Sequence, residues 1–316
     1  MFIEKDIIKK NMPNNNRNMH SAKRAKNDEF YTQLTDIENE LQYYKQHFKN
    51  KIVLCNCNDA VHGDFKKYFM THFNELGLKQ LITTAYEEGY AEFYDGTSTI
   101  KKHFNGKGDF HSEEMIELLK TSDIVVTNPP FSLFREYVAQ LMEYDKKFLI
   151  IGNLNAITYK EIFPLIKENK ILLGVSTNGS SRWFKVPNDY EHKPNAAGFK
   201  EVDGEKFCCI NAIMWYTNID HQKRHQPIDL YKHYSEEEFP KYDNYNAINV
   251  DKVTDIPLDY DGVMGVPITF LDKYCPTQFE IVGEMVSTTV DDYNFGYPYI
   301  NGNKVYARIL IKKICL

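Results

Sequence analysis

The sixteen residues from Thr121 to Glu136, TSDIVVTNPPFSLFRE, carry the clearest chemical signal in the chain. A β-branched, apolar run stops at Asn128, two prolines follow, and Phe131 opens an amphipathic stretch. Proline fixes its own φ and pushes the preceding residue towards extended geometry, so Asn128-Pro129-Pro130-Phe131 makes a stiff corner. A plain strand-ending turn would use the same properties. The corner also suits one kind of ligand, a flat ring bearing an amino group. Such an amine is a weak nucleophile because its lone pair is delocalised into the ring. Two acceptors would improve it, the Asn128 side-chain oxygen and a backbone carbonyl, most naturally that of Pro129. Phe131 would offer the ring a stacking face. Fixing the amine in line with an electrophile then supplies proximity and orientation.

A corner of this kind must be delivered by rigid elements. Short apolar runs at KIVLCN (51–56), QLITTAY (80–86), DIVVTN (123–128), KKFLIIGN (146–153) and KILLGVS (170–176) read as strands. Between them lie helical patterns at TDIENELQYYKQHF (35–48), KKYFMTHFNELGL (66–78, ending at Gly77), HSEEMIELLKTS (111–122, capped by Ser112), SLFREYVAQLMEY (132–144) and ITYKEIFPLIKEN (157–169). Fully apolar strands alternating with amphipathic helices indicate an α/β fold on a mostly parallel sheet. Ligands of such sheets bind beyond the carboxyl ends of the strands, where the corner falls. From about Ser176 the rhythm changes to short strand candidates such as SRWFKV and NAIMWYT. The last hundred residues read as a loop-rich, mainly β module.

With 316 residues, 22 Tyr and 20 Phe, the chain can build a sizeable core. Neither a transmembrane run nor a signal-peptide pattern appears, so a cytoplasmic protein is expected. The six cysteines lack zinc-ribbon spacing, and no metal is expected. The net charge of −6 means that any surface for polyanions must be concentrated. Residues 1–26 hold seven Lys or Arg against two carboxylates, as either a solvated tail or a nucleic-acid arm.

The corner resembles the signature of S-adenosyl-L-methionine-dependent amino-methyltransferases, in which Asn, Asp or Ser precedes Pro-Pro-aromatic. DEFYTQ (28–33), DIENELQYY (36–44), SDIVVTNPPFSLFREY (122–137), YDKKFLII (144–151), ITYKE (157–161), LIKENKI (165–171), FPKYDNYNAINV (239–250) and DIPLDYDGVMGVPITFL (255–271) are similar to blocks of the EcoRI adenine-N6 DNA methyltransferase family. The similarity runs from about Asp28 to the C-terminus and weakens around 86–106, 176–210 and 283–300. It implies a Rossmann-like methyltransferase sheet of the seven-stranded type. It also implies transfer of a methyl group from S-adenosyl-L-methionine to the N6 amine of a flipped adenine in double-stranded DNA, as in the modification half of a restriction–modification system. A restriction endonuclease encoded alongside and a monomeric state are both compatible with it.

Residue by residue, the resemblance places the methionine part of the cofactor at Phe30, Tyr31 and Thr32. Asn56, Asn58 and Asp59 in CNCNDA stand where many methyltransferases have a Gly-rich loop. Asp109 and Phe110 match the pair that holds the cofactor adenine, and Asn128 also borders the cofactor. The second strand ends Tyr86-Glu87-Glu88, where a ribose-gripping carboxylate is usual; Tyr86 is the candidate there and the identity of the acid stays open. Phe131 and Phe184 are candidates to stack on the target base. Each has a plainer reading: Phe30, Tyr31 and Phe184 as core aromatics, Asp59 in an Asx turn, Asp109 as a cap. Trp183 departs from the family pattern.

Sequence readout is expected from 176–210, including Asn178, Ser180, Ser181 and Arg182, and from Lys223 and Arg224 in HQKRHQ (221–226). Lys23, Arg24 and Lys26 would contact phosphates. The division expected is a basic arm (1–27), a catalytic domain (28–220) and a target-recognition region (221–316). Alternatives that keep the corner are methylation of RNA or of protein amides, or a non-catalytic DNA-binding protein of the same fold.

Overall fold

The computed structural model describes residues 30–57, 59–176, 181–186 and 198–314. The apolar runs become a central sheet. Its middle is β1 (Ile52–Cys55), flanked by β2 (Gln80–Ala85) and β5 (Ile124–Thr127), with β6 (Lys147–Asn153) beyond β5, all four parallel. These strands read as continuous apolar runs because both faces are covered: Val53, Leu54, Val125, Val126, Leu149 and Ile150 are all shielded from solvent. At one edge β3 (Tyr90–Tyr94) and β4 (Thr99–His103) form an antiparallel hairpin on β2. At the other edge β11 (Ile213–Thr217) runs antiparallel to β6, and the two-residue β7 (Leu172–Leu173) antiparallel to β11. The order is β4-β3-β2-β1-β5-β6-β11-β7, in which only β3 and β11 run against the rest.

The sheet is therefore mostly parallel by direction, with eight strands where the sequence reading expects seven. The unexpected hairpin carries little apolar pattern to announce it, since β4 is exposed at all five positions. Helices α1 (Leu34–Leu41), α2 (Asp59–His62), α3 (Asp64–Thr71), α4 (Phe73–Leu76), α5 (Glu113–Thr121), α6 (Phe134–Glu143) and α7 (Phe163–Lys167) complete the layers. Gly77 ends α4 at φ 63°, a left-handed cap that favours glycine. Ser112 caps α5 by accepting the Met115 amide at 3.3 Å. The long first helix expected at 35–48 stops at Leu41 and is followed by a 3₁₀ turn at Lys45–His47.

A second sheet stacks β8 (Arg182–Val186), β10 (Glu205–Ile210) and β9 (Phe199–Val202) in that antiparallel order. The C-terminal part builds a four-stranded sheet, β12 (Ile248–Asn249), β13 (Met264–Pro267), β17 (Arg308–Lys313) and β14 (Phe279–Met285), with a hairpin of β15 (Tyr299–Ile300) and β16 (Asn303–Lys304). Phe270, Phe279, Ile281, Ile309 and Ile311 share one apolar cluster with Phe134, Phe148, Ile150 and Phe163. The C-terminal sheet is thus fastened to the central sheet through a common core. Among the described residues no helix is long and apolar enough to cross a membrane.

Candidate active site

Parallel strands end on one side, and three of those ends, Asn56 after β1, Tyr86 after β2 and Asn128 after β5, meet at a cleft of about 920 Å³ including its open mouth. Phe30, Tyr31, Thr32, Asp59, Asp109, Phe110 and Pro130 line it as well. Residues from five separate stretches of the sequence are thereby gathered at one place. Among the described lining residues three are carboxylates, Asp59, Asp64 and Asp109, and none is Lys or Arg.

At the corner, the Asn128 amide nitrogen donates to the Phe30 carbonyl, which fixes the orientation of the amide. Its Oδ1 is left buried and without a partner. An orphaned buried acceptor costs about 1–3 kcal/mol, so its place on a cleft wall calls for a donor from outside the chain. Pro129 is buried behind it, and the Pro130 carbonyl is engaged by the Leu133 amide at 3.0 Å, which starts a 3₁₀ turn at Phe131–Leu133. The Phe131 ring stacks on Phe30, with centroids 5.7 Å apart and planes 29° apart.

Beneath the corner lies a buried polar network. Asp59 Oδ2 accepts from the Thr127 hydroxyl at 2.7 Å and from the Cys57 amide at 3.4 Å. Burial pushes its carboxyl up to about 7, against those two hydrogen bonds. The Tyr137 hydroxyl donates to Asn56 Oδ1, and burial, with Asp59 close by, pushes the Cys57 thiol up to about 12. Two glycines shape the walls. A Cβ on Gly63 would sit 2.5 Å from Asp59 Oδ1 and 2.6 Å from its Cα, and one on Gly108 would sit 2.8 Å from the Ala85 carbonyl.

At the far side, Asp109 Oδ1 accepts the His111 amide at 2.9 Å, with His111 Nδ1 at the same distance. Phe110 meets Tyr137 edge-on at 5.2 Å. Of Tyr86-Glu87-Glu88, Tyr86 alone lines the cleft, while Glu87 is paired with Lys107 at 2.5 Å on the surface. The acid expected at the end of the second strand is therefore not at the cleft. Asp64 is, a residue that sequence reasoning missed. Its Oδ2 accepts the Leu34 amide at 3.0 Å and ties the start of α1 to the cleft. The Gly63-Asp64 pair opening a helix just beyond Asp59 is the signal that could have found it.

Other candidates lie elsewhere. Phe184 is fully buried behind the site, 5.9 Å from Phe30 centroid to centroid, and presents no face to the cleft. Arg182 is buried, with Nη1 2.7 Å from Asp36 Oδ1. Lys223 donates to the Val175 carbonyl at 3.0 Å and to Asp272 at 2.6 Å, and Arg224 to Asn169 Oδ1 at 2.7 Å. These three cations are engaged within the fold, because each sits beside a carboxylate or carbonyl that the sequence does not reveal as a neighbour. The Ser181 hydroxyl donates to Asn211 at 2.7 Å. Asn58, Asn178, Ser180, Lys23, Arg24 and Lys26 lie outside the described residues. Among the described residues no cluster of three or more His, Cys, Asp or Glu could hold a metal ion.

Comparison with known proteins supplies the context for this geometry. The family model described as adenine-specific methyltransferase EcoRI matches residues 18–99 and 91–314. The chain is 50% identical over 321 residues to the Type II methyltransferase M.EcoRI of Escherichia coli, covering 94% of this chain and 96% of that protein. It is 40% identical over 311 residues to the Type II methyltransferase M.MpnI of Mycoplasma pneumoniae (92% and 97% covered). To M.MgeORF184P of Mycoplasma genitalium it is 39% identical over 309 residues, with the same coverage. No solved structure matches the chain.

Proposed function

The chain belongs to the family of the EcoRI adenine-specific methyltransferase, and from that membership we propose that it methylates the N6 amine of an adenine extruded from double-stranded DNA. The donor in this reading is S-adenosyl-L-methionine, and the role is that of the modification enzyme of a restriction–modification system, with a nuclease encoded alongside as its counterpart. The relatives' names support methyl transfer to DNA. The observation that carries the finer reading is the buried, unpartnered Asn128 oxygen at a cleft rich in carboxylates.

The cleft suits this donor. S-Adenosyl-L-methionine, when bound, supplies an electrophilic methyl on a sulfonium centre and carries a second positive charge on its ammonium. Three carboxylates, with no Lys or Arg among the described lining residues, match those charges. Phe30, Tyr31 and Thr32 on one side, and Tyr86, Asp109 and Phe110 on the other, are the residues that would hold its two ends. Glycine at 63 and 108 lets the walls pass close to Asp59 and to the Ala85 carbonyl, where a Cβ would collide.

Asn128 Oδ1 accepts one N–H of the target amine, and the Pro129 carbonyl accepts the other, the Pro130 carbonyl being engaged already. The prolines keep those acceptors from relaxing, so the amine is oriented before reaction rather than during it. Phe131, backed by Phe30, offers the base a rigid face. As nitrogen gains the methyl it loses one proton, which leaves to water. In this reading residues 28–220 do the chemistry, 221–316 present the target, and the basic arm of 1–27 grips phosphates, all in the cytoplasm where the DNA lies. The shared apolar core makes the division at 221 one of task rather than of folding unit.

The test is methyl transfer by the purified chain from labelled S-adenosyl-L-methionine, with duplex DNA, RNA and protein offered in parallel. Label is expected in DNA, recovered as N6-methyladenine. Label in RNA or protein alone would overturn the assignment.

A further inference from the structure

The loop after β1 and the corner after β5 stand on neighbouring strands, yet the strands themselves do not join them. The paired positions are Val53 with Ile124 and Leu54 with Val125, so the ladder stops before Asn56 or Asn128 is reached. Past that point the two loops are held together by side chains. Thr127, the last residue of β5, donates its hydroxyl to Asp59 Oδ2 at 2.7 Å. Thr127 is fully buried, and β-branching keeps its χ1 stiff, so this hydroxyl is a fixed donor. Tyr137 is equally buried on α6, the helix that the corner leads into, and donates to Asn56 Oδ1. The Cys57 thiol meets both hydroxyls. Asn56 and Asp59 line the cleft, whereas Thr127 and Tyr137 stand behind its wall. Two hydroxyls, one on either side of the Asn-Pro-Pro-Phe corner in the chain, thus grip the loop that follows β1.

We propose that Thr127 and Tyr137 are positioning residues for methyl transfer. By fixing Asp59 and Asn56 against the corner, they set where the methyl of the donor stands relative to the Asn128 oxygen that holds the amine. The inference rests on the methyltransferase reading above. Transfer between two bound groups tolerates little misalignment, and an error of about 1 Å can cost about a hundredfold in rate. Affinity for the donor is spread over the whole cleft and depends far less on any one tie. The two hydroxyls should therefore act on rate rather than on binding.

The test compares the wild type with Thr127→Val, Thr127→Ser and Tyr137→Phe on a duplex that the wild type modifies. Single-turnover rates are measured at saturating S-adenosyl-L-methionine, and its affinity is measured separately by calorimetry. Thr127→Val keeps the shape of the side chain and drops the hydroxyl; its rate is expected to fall about ten- to a hundredfold. Affinity for S-adenosyl-L-methionine should stay within about threefold, the pattern of an interaction that counts only in the transition state. Thr127→Ser returns the donor and should recover the wild-type rate to within about threefold, while Tyr137→Phe should lose about three- to tenfold. A merely structural role would lower the thermal midpoint without slowing the folded, saturated enzyme. A folded Thr127→Val with the wild-type rate, a loss of affinity as large as the loss of rate, or a Thr127→Ser no faster than Thr127→Val overturns the proposal. Should Thr127→Val fail to fold, Tyr137→Phe decides by the same two measurements. A wild type that modifies no DNA at all is a different outcome and sinks the methyltransferase reading itself.

Discussion

Phe30 joins the cleft to the β8–β10–β9 sheet: it lines the cleft, and its ring meets both Phe131 of the corner and Phe184 of β8. The two regions treat polar groups in opposite ways. On the cleft side the Asn128 oxygen is buried with nothing to accept from, and the Asp59 carboxyl is held up to about 7 by burial. On the sheet side buried charge is matched inside the fold: Arg182 with Asp36, and Glu40 with two backbone amides. An unsatisfied acceptor on a cleft wall is one that a ligand can complete, whereas a satisfied ion serves as scaffold. Position relative to the strand ends, more than residue type, separates ligand contacts from framework here.

The sharpest way to break this contrast is to remove the orphaned acceptor. Asn128→Ala should lower the single-turnover rate of methyl transfer by about 10²–10³-fold or more, the loss typical of a donor or acceptor aimed at the reacting group. The thermal midpoint should move little. A variant with wild-type rate would show that the corner is only a turn.

A smaller loss is expected at the wall. In Gly63→Ala the new Cβ meets Asp59 backbone at 2.6–2.7 Å, which cannot yield as a flexible side chain would. Overpacking of this kind costs about 1–3 kcal/mol, and calorimetry should show cofactor affinity down about tenfold or more.

Smaller again is a pH effect. Asp59 has an ordinary carboxyl value of about 4 when unfolded and about 7 when folded, so the folded state keeps the proton longer. Its contribution to stability is therefore greatest below about pH 4 and is lost as pH rises to about 7. Glu284, pushed up to about 8 by burial, acts in the same direction over a slightly higher range. Melting curves of the ligand-free protein should drift downwards across this window, and Asp59→Asn should flatten the part below pH 7. A cationic cofactor favours the charged form, so its affinity should instead rise with pH through about 7.

The smallest effect is predicted on the scaffold side. Arg224→Gln should change DNA affinity less than about threefold, because the side chain is only 15% exposed and bonded to Asn169. A tenfold loss would move Arg224 from framework to interface.

These contrasts explain what was legible before folding. The parallel strands and the corner could be read because a buried strand needs an unbroken apolar run, and Pro-Pro fixes geometry locally. Phe30, Asp59 and Asp109 could be read through family blocks that travel with the corner. The β3–β4 hairpin could not, since β4 is solvent-exposed throughout and carries no apolar alternation. Arg182, Lys223 and Arg224 look like nucleic-acid contacts by type, yet their partners Asp36, Asp272 and Asn169 lie 146, 49 and 55 residues away in the chain. Pairing over such distances is a property of the tertiary fold. Asp64 carried only the local signal of a Gly-Asp helix start, because its cleft position follows from how α3 packs on α1.

Methylation of adenine in DNA by the Asn128 corner, as proposed above, can be tested directly in cells. The most direct measurement expresses the chain in cells free of adenine methylation and maps modified adenines across the genome, beside an Asn128→Ala control. The account predicts one recurrent motif with N6-methyladenine in the wild type and none in the control. No modified motif with the wild type, or an undiminished one with Asn128→Ala, would contradict it.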